Sequence, residues 1–315
     1  MVDVWTMGEM IVEIMRVEND VLLYQPGIFK GPFPSGAPAI FIDTVARIGH
    51  QAGIIGSVGK DDFGKNLLDR MKKDGVNVSQ VFESKDCSTG VAFVTYYSEG
   101  SREFIYHMGN TPAVEAKMPS EEVFEGIKYF HIMGCSLMAK KEFAEEILKT
   151  MKLAISKGAK VSFDPNIRKE LLMDESVFEI VNEVIKYTNI FLPGVEEILS
   201  ITGKNTVEEA VKASFENKNL EILVLENGLK GCIVYSRTET LHMGVYPIEQ
   251  KDATGAGDSF DGASICGLLE GKSLKETAQM AAAAGALNAA AFGPMEGEIN
   301  RENVQEMIDA NRDLI

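Results

Sequence analysis

Short apolar runs alternate with helix-period segments along most of this chain, and that alternation limits the possible folds more than any other feature. Val2–Met7, Ala52–Val58, Tyr129–Met133, Lys160–Phe163, Ile190–Leu192 and Ile222–Leu225 read as strands. Several are apolar on both faces, as strands of a parallel sheet covered by helices must be. Pro38–Ile48, Asp61–Lys73, Lys141–Lys157, Glu175–Lys186 and Glu208–Glu216 read as helices between them, followed by Ser259–Leu269 and the alanine-rich Leu274–Ala291. The expected fold is α/β and layered, with a central, mostly parallel sheet between helices. No internal repeat and no low-complexity linker divides the 315 residues, so one domain over 1–315 is expected.

Two segments break the rhythm. Val91–Tyr97 and Glu103–His107 flank Ser98-Glu-Gly-Ser101, a hairpin signal. Residues of about 14–33 are irregular and contain Val21-Leu-Leu-Tyr24, read as a further strand. Together with about 88–110 they are expected to form a small β-sheet lid outside the main sheet; the alternative is an edge hairpin of the main sheet. The hairpin strands carry Val, Phe, Tyr and Ile on both faces, which a solvent-exposed lid would leave in water. Pairing two lids, with Phe104 and Tyr106 in the contact, is the expected remedy and predicts a homodimer.

The segment Asp252-Ala-Thr-Gly-Ala-Gly-Asp258 carries the chemistry. It reads as a glycine-rich loop opening a helix, where N–H groups without intrahelical partners and the helix dipole favour an anion. Gly255, Ala256 and Gly257 would form that anion hole. Asp258 then stands beside an anion site, where a carboxylate is unfavourable unless it acts, and accepting a proton from an attacking hydroxyl is the natural act. The other reading of Asp258 is a helix-capping residue. The chain has no G-x-x-x-x-G-K-[S/T], and Phe260 occupies the third glycine position of a dinucleotide fingerprint.

Composition narrows the partners. A net charge of −16 argues against nucleic acid and against anionic membrane. The four cysteines are widely spaced, with no histidine at metal-ligand spacing, so no zinc site is expected. Met280–Phe292 is too short to span a bilayer. The N-terminus shows no basic leader, and a cytoplasmic protein is expected.

Several segments, in order, resemble the ribokinase-like sugar kinases of the phosphofructokinase-B family. They are Val4-Trp-Thr-Met-Gly-Glu9, Pro34-Ser-Gly-Ala-Pro-Ala-Ile40 through Val45-Ala-Arg-Ile-Gly49, Gly56-Ser-Val-Gly-Lys-Asp-Asp-Phe-Gly64, Ser162-Phe-Asp-Pro-Asn-Ile-Arg168 and Asp252 through Asp258. The resemblance implies ATP, Mg²⁺ and a small sugar as ligands, with a monovalent cation as a further candidate. It implies Asp258 as catalytic base, with Glu13, Gly36, Ala37 and Arg168 around the sugar. It places Asn166, Glu226, Gly228, Gly231, Gly255, Gly257 and Asn288 about the nucleotide. Glu197 would hold the metal through water, with Asp252 nearby. Two of these keep a second reading: Glu13 as a surface acid at a strand end, and Asn288 with its alanine neighbours as close helix packing.

The pattern departs from the family at three places. Ile40 replaces an Asn that contacts a sugar hydroxyl, Met108 stands near an Arg that ketodeoxygluconate kinases direct at the substrate carboxylate, and Gly194 replaces the Asn of N-x-x-E. A ketohexose of the fructose or tagatose type is the expected substrate. The alternatives are 2-keto-3-deoxygluconate, a nucleoside, or a non-catalytic sugar-binding regulator.

Overall fold

A computed structural model describes residues 1–168 and 177–312. Thirteen strands are described: β1 (Val4–Met7), β2 (Ile11–Arg16), β3 (Phe29–Ser35), β4 (Ala52–Gly59), β5 (Asn77–Ser84), β6 (Gly90–Tyr96), β7 (Arg102–His107), β8 (Tyr129–Met133), β9 (Lys160–Asp164), β10 (Thr188–Phe191), β11 (Ile222–Glu226), β12 (Cys232–Ser236) and β13 (Thr240–Met243). The main sheet has nine strands in the order β13-β12-β11-β10-β9-β8-β1-β4-β5. The pairs from β11 to β5 are parallel, and β12 and β13 add an antiparallel edge. β1, β4 and β8 are buried along their whole length, so both faces must be apolar.

The described helices are α1 (Ala37–Arg47), α2 (Asp62–Lys73), α3 (Gly134–Met138), α4 (Lys141–Ser156), α5 (Val177–Tyr187), α6 (Val195–Thr202), α7 (Val207–Ser214), α8 (Ala256–Leu269), α9 (Leu274–Ala289) and α10 (Arg301–Ala310). α8 packs against α1 and α9, and α9 against α10; α4 packs against α3 and α5. The close α8–α9 contact follows from small residues. A Cβ on Gly267 would lie 2.8 Å from Thr277 Oγ1, and one on Gly285 3.0 Å from the carbonyl of Ala256. The expected helix start at Glu175 lies outside the described residues.

A second sheet, β3-β2-β6-β7, stands apart from the main one, so the hairpin is not an edge of the main sheet. Its outer partner is Phe29–Ser35, whereas Val21–Tyr24 is not a strand and runs into a turn at Leu23 and Tyr24. The backbone there is captured by a side chain: Arg16 Nη2 donates to the carbonyls of Leu22 (2.9 Å) and Gln25 (2.8 Å). Cross-strand register sorts the faces. Glu13, Ala92 and Tyr106 lie opposite one another on one face, and Ile14, Phe93 and Ile105 on the other. No described helix is long and apolar enough to cross a membrane.

Candidate active site

The site lies beyond the carboxyl ends of the parallel strands, where open α/β sheets bind ligands. Glu9 follows β1, Asp164 ends β9, Glu226 ends β11 and Glu197 opens α6 after β10. Against this edge stands the loop before α8. Asp252 shapes it: Oδ1 accepts from the Thr254 N–H (2.9 Å), and Oδ2 accepts from the Gly293 N–H (3.1 Å) and the Tyr96 hydroxyl (3.2 Å). Asp252 lines neither cavity described below, and its hydrogen bonds hold the loop. Asn288 braces the loop from α9, donating from Nδ2 to the carbonyls of Thr254 (2.8 Å) and Pro294 (2.9 Å). It is fully buried, and its amide serves the loop.

The two loop glycines have different reasons. Gly255 has φ 76°, and a Cβ on it would stand 2.2 Å from the Pro294 carbonyl; the fold itself demands glycine. A Cβ on Gly257 would meet only Glu226 Oε2, at 3.5 Å. Gly257 is therefore small for the sake of the space beside it. No side chain caps α8, so the amides of its first turn face that space unfilled. The exception is Ala256, whose N–H donates to Ala253 at 3.3 Å; its place in the expected anion hole is taken by an internal turn.

Two cavities meet at this loop. The first is walled by Glu9, Glu13, Ser35, Gly36, Ala37, Ile40, Arg102, Phe104, Tyr106, Arg168 and Asp258. The second is bounded by Arg102, Asp164, Asn166, Arg168, Glu197, Glu226, Gly257 and Asp258. Asp258, Gly255 and both arginines belong to each. Asp258 is 6% exposed and accepts from Asn166 Nδ2 at 3.0 Å. Burial pushes its carboxyl up to about 6, against the pull of Arg168, Arg102 and the Asn166 bond.

Asn166 adopts a left-handed φ of 38° and also donates from its N–H (2.9 Å) and Nδ2 (3.0 Å) to Asp164. It orients Asp258 and also bounds the second cavity. Glu197 accepts from the N–H groups of Ile167 (2.7 Å) and Gly194 (2.8 Å), tying the Asn166–Arg168 segment to α6. Burial, with Glu197 and Asp258 beside it, raises Glu226 to about 8, and burial with the same neighbours and Glu226 lifts Asp164 well above the carboxylate range. These acids repel one another around one cavity, which is the electrostatic setting a divalent cation relieves. Among the described residues no three acid, His or Cys side chains converge tightly enough to hold an ion directly.

Glu13 is 5% exposed and accepts from Ser35 Oγ at 2.6 Å; burial raises it to about 7. It is not a surface acid. Gly228 and Gly231 form the turn between β11 and β12 and line neither cavity; a Cβ on Gly231 would lie 2.0 Å from the Met243 carbonyl. Met108 is in the core, 2% exposed. Sequence reasoning assigned no role to Glu9 or Arg102. Glu9 is buried under the first cavity, accepting from Ser136 and, at 3.2 Å, from Cys135 Sγ. Phe104 and Tyr106 were expected in a dimer contact, but both face the first cavity, because alternate residues of β7 point to opposite faces of its sheet.

An anion-holding helix start, a base at the junction of two cavities and guanidiniums on both sides define a phosphotransferase with an alcohol acceptor. Comparison with known proteins gives the family. Residues 4–300 match the pfkB family of carbohydrate kinases, and the chain belongs to that family. It is 30% identical over 298 residues to Fructokinase-2 of Solanum lycopersicum, covering 89% of this chain and 88% of the relative. Fructokinase of Solanum tuberosum is 30% identical over 292 residues, covering 89% and 87%. Among solved structures, an Escherichia coli chain named as a putative Ribokinase II, in complex with ATP and Mg²⁺, superposes with a TM-score of 0.92 at 36% identity, covering 98% of this chain and 100% of that one. The fold is ribokinase-like, and the protein is a sugar kinase.

Proposed function

We propose that this kinase transfers the γ-phosphoryl group of ATP, with Mg²⁺, to a hydroxyl of a neutral ketohexose, D-fructose or a close relative. The observation that carries it is Asp258 at the junction of the two cavities. The sugar occupies the first, its reacting hydroxyl against Asp258. The ATP phosphates and Mg²⁺ occupy the second, over the first turn of α8. Asp258 takes the hydroxyl proton as the oxygen attacks phosphorus, and ADP leaves with the bridging electron pair. The complex of the E. coli relative with ATP and Mg²⁺ and the fructokinase names of the plant relatives support this reading.

The donor and acceptor set suits a polyol. Among the described residues, Glu9, Glu13 and Asp258 offer acceptors to the first cavity and Arg102 and Arg168 offer donors, a mixture that several hydroxyls can satisfy at once. The test is ADP release from ATP with ketohexoses, aldoses, sugar acids and nucleosides. Fructose or tagatose should give the highest kcat/KM, and Arg168→Met should raise KM for hydroxyl-rich sugars without creating a preference for acids. A wild-type kcat/KM for ketodeoxygluconate far above those for fructose and tagatose would overturn the assignment. A monovalent cation remains a candidate ligand, since the Thr254 and Pro294 carbonyls that converge on Asn288 each keep a lone pair; titration with KCl in a tetramethylammonium buffer measures the requirement.

Assembly through the second sheet belongs to the same proposal, with the contact moved to its other face. Ile105 is 44% exposed and Phe29 36%; Ile105 lies opposite Phe93 in register, and Phe29 meets Phe93 edge to face. A homodimer covering this patch should sediment at about twice the chain mass of 34.5 kDa. Ile105→Asp should shift it to monomer. A monomeric wild type, or an unshifted variant, argues against the contact. Cytoplasmic residence is proposed with it, on the four unpaired thiols.

A further inference from the structure

We propose that Arg102 is a catalytic residue, carried by the second sheet and bearing on the phosphoryl group as it passes from ATP to the sugar. The inference rests on the kinase reading above. Arg102 begins β7 and lines both cavities. Its Nη1 donates to Thr254 Oγ1 at 3.0 Å, which sets the guanidinium beside the anion-holding loop, one residue before Gly255. Phe104 flanks it, 5.7 Å from guanidinium carbon to ring centroid. It therefore stands where the acceptor oxygen and the γ-phosphoryl must approach each other.

The second cavity holds Asp164, Glu197, Glu226 and Asp258 against two guanidiniums. A triphosphate entering there needs cations; Mg²⁺ held among the acids would leave the side facing the sugar to arginine. A planar, permanently charged fork is suited to the equatorial oxygens of a phosphoryl group in flight. The two arginines differ in origin. Arg168 follows β9 of the main sheet, whereas Arg102 belongs to the sheet whose inner face, through Glu13, Phe104 and Tyr106, covers the sugar cavity. Sugar held under that face thus fixes the cation that serves transfer. This couples phosphoryl-charge stabilisation to acceptor binding and withholds it from water. In the step itself the acceptor O–P bond forms, the bond from phosphorus to the ADP oxygen breaks, and the proton goes to Asp258; Arg102 neither gains nor loses a proton.

The competing role is a latch between the sheet and the loop. Tyr96 provides the control, because its hydroxyl reaches the same Thr254 Oγ1 at 3.2 Å and lines neither cavity. Arg102→Met, Arg102→Lys and Tyr96→Phe are compared in full-length protein with ATP and the best acceptor found for wild type. Arg102→Met should lower kcat by roughly 10²–10³ and leave the sugar KM within about fivefold. Arg102→Lys should recover at least tenfold of that loss, and Tyr96→Phe should lose less than tenfold. Binding of ADP with aluminium fluoride and sugar, a mimic of the phosphoryl in transit, should weaken in Arg102→Met in step with kcat, while ADP alone binds as in wild type. A kcat loss below tenfold, a loss confined to KM, or a Tyr96→Phe defect equal to that of Arg102→Met would each overturn the assignment. If wild type itself turns over no acceptor, the kinase reading fails first, and that outcome is distinct from all of these.

Discussion

Asp258→Asn should lower kcat by roughly 10²–10⁴, or about 3–5.5 kcal/mol of barrier, while sugar affinity stays within about tenfold. Asparagine keeps the size and the bond to Asn166 but cannot take the hydroxyl proton. The same change should stabilise the fold. Burial raises the Asp258 carboxyl to about 6 from an ordinary value of 3.8. A folded-state value above the unfolded one means that ionisation opposes folding: the group's contribution is most favourable below the unfolded value and is lost as pH rises through the folded one. At neutral pH the penalty is on the order of 3 kcal/mol, and removing it should raise Tm by several degrees. In wild type the base works only when ionised, so kcat/KM should fall about tenfold per pH unit below about 6. A variant with more than half of wild-type kcat would remove Asp258 from the mechanism.

Gly257→Val should abolish turnover in a protein that remains folded. A Cβ there meets only Glu226 Oε2 at 3.5 Å, so the fold accepts a side chain, but the methyls of valine enter the cavity assigned to the phosphates. Gly255 cannot serve this purpose, because φ 76° and the Pro294 carbonyl make any side chain there a folding defect. Circular dichroism and Tm establish folding, and ADP release measures activity. Normal kinetics in a folded Gly257→Val protein would show that the first turn of α8 does not hold the transferred group.

The sequence made much of this legible. Apolar runs bounded by turn residues marked β1, β4, β8, β9, β10 and β11, because strands buried on much of both faces are dominated by apolar side chains. The more exposed β5, β12 and β13 carry polar residues and went unmarked. Asp258 was legible because an acid at an uncapped, glycine-rich helix start is costly without a task. Arg168 came from a matched motif, and Glu13 from standing where the family has an Asp.

Partnership was not legible. Asn288 was read at a base-binding position and turns inward to two carbonyls, and Asn166 reaches across 92 residues of chain to Asp258. Phe104 and Tyr106 looked like surface until the register of β7 turned them toward the sugar cavity. The sequence by itself determined the layered α/β fold, the anion-holding loop and its acid, since each depends on local periodicity or on the backbone freedom of neighbouring residues. Only the tertiary structure decided which side chains meet at Asp258, that Arg102 joins the two cavities, and that Asp252 and Asn288 brace the loop. Those contacts join segments far apart in the chain, and sheet order and strand register fix them, not any property the residues carry alone.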